Sequence, residues 1–317
     1  MNILFCCHGF PDALEALKRH VSSQHALTVK DTSRPLEEQT SDAEVLTCLG
    51  FPDRITRKTV ECAPRLKLIH QFGVGLEAVD IEAASGRGIY VANTPGVNAV
   101  AVAEHTFLLM FSLVRNLPAA IDALRSGKWG QPIGGELYNK TLGIIGLGKI
   151  GVEVAKRASA FGMKVLAYDL YIPESVFTEV GAKQVDLESL LRESDIVSLH
   201  APVTDETRGM IGKKQLELMK KTAYLINTGR GPLIDKDALH WALTSGDIRA
   251  AGSDVFWVEP PDPADPILKL ENLVQTPHIA GVTYEAYDTI ARTIIQNTDR
   301  VARGLRPEPC VNASQIP

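Results

Sequence analysis

Thr141-Leu142-Gly143-Ile144-Ile145-Gly146-Leu147-Gly148-Lys149-Ile150-Gly151 decides the fold of this 317-residue chain. Its first five residues read as a buried strand, its last six fit G-x-G-x-x-G, and a helical pattern leaves it over 150–161. The glycine pattern alone recurs by chance; the strand before it and the helix after it give it meaning. In that setting Gly146 permits a tight turn, Gly148 removes the Cβ that would block a pyrophosphate, and Gly151 lets helix and strand pack closely. The helix start, with Lys149 and Ile150, offers free N–H groups and a partial positive charge to phosphates.

A second part of this signature is an acid about 20 residues further on, at the end of the next strand. Asp169 closes the run Lys164–Tyr168, where its carboxylate can take both hydroxyls of an adenosine ribose. A carboxylate there repels a 2′-phosphate, and Leu170-Tyr171 supply no arginine to receive one. The expected cofactor is therefore NAD rather than NADP.

Working outward, the same alternation continues downstream. Strands are expected at 182–185, 196–200, 223–227, 250–254 and 273–276, with helices at 187–192, 213–218 and 236–245. Upstream, apolar runs at 3–7, 27–29, 44–48, 66–72 and 89–92 alternate with helical stretches at 12–20, 54–62 and 80–85. Strand and helix in alternation imply parallel sheets covered on both faces, hence an α/β fold with two doubly wound domains. Asn93-Thr94-Pro95-Gly96 is a turn signal closing the first series. A final helix over about 285–303 has no strand after it and can return to the first domain. The expected division is 1–95 plus 285–317 and 96–284.

Between the two series lies Val97–Val114, apolar nearly all round. It falls short of the ~20 apolar residues of a membrane span, and Glu104-His105 interrupts it. It reads as a buried helix or one at a subunit contact. With 45% hydrophobic and 22% charged residues the chain can bury two cores, and a net charge of -5 without a basic run gives no footprint for nucleic acid or membrane. The five cysteines show no C-x-x-C pair and no ligand spacing, so no metal is expected. Cys6, Cys7 and Cys48 read as small buried thiols, and an N-terminus that begins as a strand suggests a cytoplasmic protein.

In open parallel sheets ligands sit beyond the carboxyl ends of the strands. Three polar residues follow successive strand ends: Arg230 in Asn-Thr-Gly-Arg-Gly, Glu259 in Asp-Val-Phe-Trp-Val-Glu-Pro, and His278 in Pro-His-Ile-Ala-Gly. Arginine makes a bidentate clamp on a carboxylate. Histidine exchanges a proton near neutral pH, and an acid can orient the imidazole and stabilise its charged form. These parts suit the interconversion of a 2-hydroxy acid and a 2-oxo acid.

With these motifs, with Phe-Gly-Met-Lys-Val and with Leu-His-Ala-Pro-Val-Thr-Asp-Glu-Thr-Arg-Gly-Met-Ile, nearly the whole chain resembles the D-isomer-specific 2-hydroxyacid dehydrogenases. The resemblance implies a flavodoxin-like substrate domain and a Rossmann NAD-binding domain, a cleft between them, and a homodimer. It implies the clamp, orienting and acid–base roles for Arg230, Glu259 and His278. It points to Val74 and Gly75 in Phe72-Gly73-Val74-Gly75 as a substrate-carboxylate site of backbone N–H groups, where the residues alone suggest only a tight turn. It adds Pro202, Thr207, Thr228, Gly229, Asp254 and Gly281 to the cofactor site.

A cofactor-sensing, corepressor-like binding protein on the same fold keeps the same three residues, but usually carries extra terminal segments. A formate dehydrogenase is expected to have glutamine at 259. A long phosphoglycerate dehydrogenase is expected to carry a regulatory C-terminal domain, for which no room is expected after Pro317, while a short-form phosphoglycerate dehydrogenase stays open. Tyr138-Asn139 stand where the family often has glycine, read as a tolerated surface difference. His8 and Phe10 lie near a strand end and can shape a pocket, although as loop residues they name no substrate. Glyoxylate, hydroxypyruvate, pyruvate, 3-phosphohydroxypyruvate and bulkier oxo acids all stay open.

Overall fold

A computed structural model describes residues 1–7, 9–49, 53–130 and 132–316. His8 lies outside them, and Phe10 caps the first helix. The chain forms two compact units, Met1–Asn98 with Val282–Pro317, and Ala99–Gly281.

In the first unit β1 (Asn2–Phe5), α1 (Pro11–His20), β2 (Ala26–Val29), β3 (Val45–Cys48), α2 (Arg57–Glu61), β4 (Leu68–Gln71), α3 (Ile81–Gly86) and β5 (Tyr90–Ala92) follow in turn. The second unit contains α4 (Ala99–Val114), α5 (Leu117–Arg125), β6 (Thr141–Ile145), α6 (Lys149–Ala160), β7 (Lys164–Tyr168), α7 (Glu174–Glu179) and β8 (Lys183–Gln184). It continues with α8 (Leu187–Glu193), β9 (Ile196–Leu199), α9 (Lys213–Leu218), β10 (Tyr224–Asn227), α10 (Lys236–Ser245), β11 (Ala250–Ser253) and β12 (Leu273–Gln275). The last helix, α11 (Tyr284–Ala302), returns to the first unit.

The first sheet runs β2-β1-β3-β4-β5 with every pair parallel, the 2-1-3-4-5 order of flavodoxin-like sheets. Successive side chains of β1 go to opposite faces. Ile3 and Phe5 join Ala13 and Leu17 of α1 with Tyr287, Ile290 and Ile294 of α11, while Leu4 joins Val60 and Ala84 beneath α2 and α3. The burial of Tyr287, Ile290, Ala291 and Ile294 at helical spacing explains why α11 packs beside α1. Cys6, Cys7 and Cys48 are buried thiols outside any disulfide, and burial pushes the Cys6 and Cys7 thiols well up.

The second sheet runs β12-β11-β10-β9-β6-β7-β8, again parallel throughout. Counted from β6, this is the Rossmann order 3-2-1-4-5-6 with one added strand, and its switch point lies between β6 and β9. β9 and β11 are buried at every position, as both-face coverage requires.

Several strands end a residue or two short of the sequence expectation, as fraying element ends do. Two helices are not read from the sequence. α7 is short and buries only Phe177. α5 buries nothing in its own unit, and its apolar residues Leu117, Ile121 and Leu124 form an exposed stripe. Among the described residues no single helix is long and apolar enough to cross a membrane; only the bent pair α4 and α5 passes on length and composition together, and α4 is mostly buried in the protein.

Asn139 explains its departure from glycine. It adopts φ +59°, the left-handed region that asparagine tolerates best after glycine, and donates its N–H to the Gly162 carbonyl at 3.1 Å.

Candidate active site

The chain turns from β6 into α6 at Gly146, whose φ of +92° and close approach to the Ala201 backbone exclude a side chain. A Cβ on Gly151 would lie 2.2 Å from the Gly146 carbonyl oxygen, so the helix can pack here only without one. A Cβ on Gly148 would meet no protein atom within 4 Å beyond its chain neighbours. The three glycines thus divide the labour: two satisfy the fold, and the third leaves space open. Gly148 caps α6 without a side-chain bond, so the first turn of the helix, which begins Lys149-Ile150, opens onto that space. This cradle fits a pyrophosphate.

Asp169, at the end of β7, accepts from Leu147 N at 2.8 Å through one oxygen and from Tyr171 N at 2.9 Å through the other. The acid is therefore tied to the glycine turn and held at its rim. Tyr171, unnoticed in the sequence as a possible contact, reaches across to donate its hydroxyl to Glu206 at 2.9 Å. The loop after β9 is braced by Thr207, whose hydroxyl donates to the Pro202 carbonyl at 2.6 Å.

Beyond β10, Asn227 shapes the next turn by accepting from Gly229 N at 3.0 Å and donating to the Arg230 carbonyl at 2.9 Å. A Cβ on Gly231 would lie 2.2 Å from the Phe256 backbone, so the Arg230 turn and the loop carrying Glu259 touch through their main chains. That loop is anchored by Trp257, whose indole N–H donates to the Ile234 carbonyl at 2.6 Å.

Glu259 accepts from Phe256 N at 2.9 Å with one oxygen and meets His278 Nδ1 at 2.6 Å with the other. His278 sits at φ +55°, an uncommon conformation for a residue with a side chain. Its ring remains 46% exposed. The Glu259 hydrogen bond raises the His278 pKa, against the opposing effects of burial and of Arg230. Burial pushes Glu259 up, but His278, the Phe256 N–H and Arg230 together outweigh it and leave the carboxyl lowered. The two shifts agree: the pair favours imidazolium beside carboxylate. With Nδ1 turned to Glu259, Nε2 is the nitrogen left to exchange a proton.

Asp254, fully buried after β11, accepts from Ile279 N at 2.9 Å and Ala280 N at 2.8 Å. It thereby holds the turn that runs from His278 to Gly281. Thr228 opens the Arg230 turn and is buried against α4. The second unit thus brings together the turns bearing Arg230, Glu259, His278 and Asp254 at one edge of its sheet.

In the first unit, the segment after β4 carries Val74 and Gly75. The Gly73 carbonyl accepts from both Thr94 N and Thr94 Oγ1 at 2.9 Å, and the Val74 carbonyl accepts from Asn93 Nδ2 at 2.8 Å. In a trans peptide the N–H points opposite to the C=O. Holding those two carbonyls toward Asn93 and Thr94 therefore turns the N–H groups of Val74 and Gly75 the other way. Among the described residues neither N–H has a partner, which suits an anion.

The D-isomer specific 2-hydroxyacid dehydrogenase, NAD binding domain, model matches residues 107–280. A glyoxylate reductase of Korarchaeum cryptofilum is 43% identical over 285 residues, covering 88% of this chain and 86% of that protein. A D-3-phosphoglycerate dehydrogenase of Methanocaldococcus jannaschii is 43% identical over 289 residues, covering 90% of this chain but 55% of the relative, so the chain spans about half of that protein's length. Among solved structures, D-lactate dehydrogenase from Aquifex aeolicus, complexed with NAD and lactic acid, matches with a TM-score of 0.82 at 35% identity over 96% of each chain. By a family match over more than half its length and by these relatives, the chain is an NAD-dependent enzyme of the D-isomer-specific 2-hydroxyacid dehydrogenase family.

Proposed function

We propose that the enzyme transfers hydride between NAD(H) and C2 of a small 2-oxo acid and its D-2-hydroxy acid, with glyoxylate or hydroxypyruvate as substrate. The observation that carries this reading is the 2.6 Å pairing of Glu259 with His278 Nδ1 at the strand edge that also bears the Arg230 turn. Bound NADH supplies the hydride from its nicotinamide ring. Arg230 clamps the substrate carboxylate and polarises the adjacent carbonyl. In the first unit, the N–H groups of Val74 and Gly75 suit a carboxylate of the same kind. As C2 gains hydride, the carbonyl oxygen takes the proton held at His278 Nε2, giving the alcohol and a neutral imidazole. Glu259 keeps that imidazole protonated to higher pH and fixes its orientation.

Gly148 and the first turn of α6, at Lys149 and Ile150, would hold the pyrophosphate, Gly146 and Gly151 would shape the turn that admits it, and Asp169 would take the ribose. Pro202, Thr207, Thr228, Gly229, Asp254 and Gly281 would line the remainder of the cofactor. The exposed stripe of Leu117, Ile121 and Leu124 supports a homodimer, and the buried thiols, outside any disulfide, suit the cytoplasm. A relative matched over 86% of its own length is a glyoxylate reductase, which puts a small oxo acid first.

The test is steady-state turnover with NADH or NADPH against glyoxylate, hydroxypyruvate, pyruvate, 3-phosphohydroxypyruvate and a bulkier oxo acid. NADH-dependent reduction of the smallest substrates is expected. Turnover on none of the five would replace this reading with an NAD(H)-sensing binding protein.

A further inference from the structure

Glu104-His105 stands out in the sequence only as an interruption of an apolar helix, yet His105 is nearly enclosed, its side chain 10% exposed. A polar ring inside α4 needs a partner. Its Nε2 lies 2.8 Å from the Thr276 hydroxyl, and that hydroxyl lies 2.6 Å from Asp254 Oδ1. The direction of the chain follows from counting protons. Thr276 has one hydroxyl hydrogen, which goes to the carboxylate, so its oxygen must accept from His105, and Nε2 carries the hydrogen. Burial lowers the His105 pKa more than the Asp254 carboxylate raises it, in keeping with a neutral ring.

The chain ends on the turn that presents His278. Asp254 collects the Thr276 hydroxyl and the N–H groups of Ile279 and Ala280 on its carboxylate, and its own carbonyl accepts from His278 N at 2.8 Å. Three groups flanking His278 and its own N–H thus converge on one buried residue. This arrangement holds His278 at a positive φ that a free loop would leave.

The next residue of α4 does the same for the other turn. Thr106 donates to the Val102 carbonyl at 2.8 Å, so the Thr228 hydroxyl, 2.9 Å away, donates to Thr106. Thr228 begins the turn that carries Arg230. Adjacent residues of one helix therefore register the turns of Arg230 and His278.

We propose that His105 is a positioning residue for the reaction, which through Thr276 and Asp254 fixes the 276–280 turn and so the placement of His278 against Glu259. The proposal rests on His278 being the acid–base group. Glu259, Arg230 and Asp254 are the charged groups that act on the His278 ring, so a shift of its turn changes its titration as well as its reach.

The experiment compares His105→Leu, His105→Gln, Thr276→Val and His278→Ala in the full chain, by steady-state oxo-acid reduction across pH and by fluorescence titration of NADH. His105→Leu is expected to lower kcat on the order of 10- to 100-fold, as a small misplacement of a catalytic group does, with little change in oxo-acid KM. The alkaline limb of the kcat profile should move to lower pH as the Glu259–His278 pair loosens. His105→Gln, which keeps an N–H donor, should recover most of kcat. Thr276→Val should reproduce the leucine variant, and the double variant should be no worse than either single one. Should His105→Leu fail to fold, Thr276→Val and His105→Gln carry the same comparison. An unchanged kcat and pH limb in His105→Leu or Thr276→Val, or a loss confined to thermal stability and NADH affinity, overturns the proposal. An active His278→Ala enzyme overturns instead the acid–base reading beneath it.

Discussion

Beyond β10, β11 and β12 of the second unit stand Arg230, Glu259 and His278, whereas beyond β4 of the first unit stand Gly73, Val74 and Gly75, whose polar atoms are peptide groups. Both sheets are parallel and place these groups past the carboxyl ends of strands. They differ in what must be held. A charged side chain is positioned by bracing its turn, which Asn227 and Asp254 do from within the second unit. A peptide N–H is positioned by fixing the carbonyl on its other side, which Asn93 and Thr94 do in the first. The side-chain site should therefore be sensitive to substitution of the named residues, and the peptide site to substitution of their neighbours.

The sharpest way to break this contrast is to truncate one side chain in each place. His278→Ala should lower kcat on the order of 10²- to 10⁴-fold, the usual weight of a general acid. Val74→Ala, which keeps the N–H, should leave kcat and KM within about twofold, since surface truncations rarely matter otherwise. Comparable losses in the two variants, measured with the same oxo acid, would erase the distinction.

Burial also keeps His70 of the first unit and His200 of the second neutral, and the two differ in depth of effect. Burial lowers His70 to about 4, partly opposed by the Gln71 carbonyl, and lowers His200 to about 3. Because the folded values lie below the ordinary imidazole value of 6.5, the unfolded chain takes up protons first. The stability these residues contribute is therefore complete above that value and lost as pH falls through it toward about 4 for His70 and about 3 for His200. Denaturant unfolding followed from pH 7.5 to pH 4.5 should show a loss of a few kcal/mol, on the order expected for such shifts. His70→Gln should flatten that slope; an equal slope in the variant would remove His70 from the account. His70 also meets Asn297 Nδ2 at 3.0 Å through Nε2, so protonation costs a bond between β4 and α11.

A change within the side-chain site sharpens the contrast without destroying it. In Glu259→Gln the His278 pKa should fall, because the hydrogen bond to a carboxylate is the first cause of its elevation. The alkaline limb of oxo-acid reduction should then move to lower pH, with activity near the acidic plateau retained better than activity at high pH. An unmoved limb would separate Glu259 from the proton transfer.

This contrast also explains what could be read from the sequence. Gly146, Gly148, Gly151 and Asp169 are legible because dinucleotide binding constrains residue type at fixed spacing, and Arg230, Glu259 and His278 because charged side chains at strand ends advertise themselves. Gly73 and Gly75 read only as a turn without the family resemblance, since a peptide group has no residue-type signature. Asn93 and Thr94 read as a turn signal, which hides that both donate to the opposite segment. His105 is obscured for another reason: its partners are more than 140 residues away in sequence, so only the packing of α4 against the strand ends brings them together. α5 escapes notice because its apolar stripe faces outward and leaves no mark on its own unit's core.

The smallest predicted effect is the most direct test of the peptide site. Asn93 is 9% exposed and reaches the Val74 carbonyl at 2.8 Å with its side-chain amide. Asn93→Leu fills a similar volume but donates nothing, which frees that carbonyl to turn and with it the Gly75 N–H. One hydrogen bond of this kind is worth about 1 kcal/mol, so the oxo-acid KM should rise roughly three- to tenfold while kcat stays near wild type. Thr94→Val makes the internal control. The Gly73 carbonyl loses the Thr94 hydroxyl but keeps the Thr94 N–H at 2.9 Å, so the Val74 N–H should hold its direction and KM should change less than in Asn93→Leu. If Thr94→Val were the more damaging of the two, the carbonyls would not be what aims these N–H groups, and the first unit's site would depend on side chains after all.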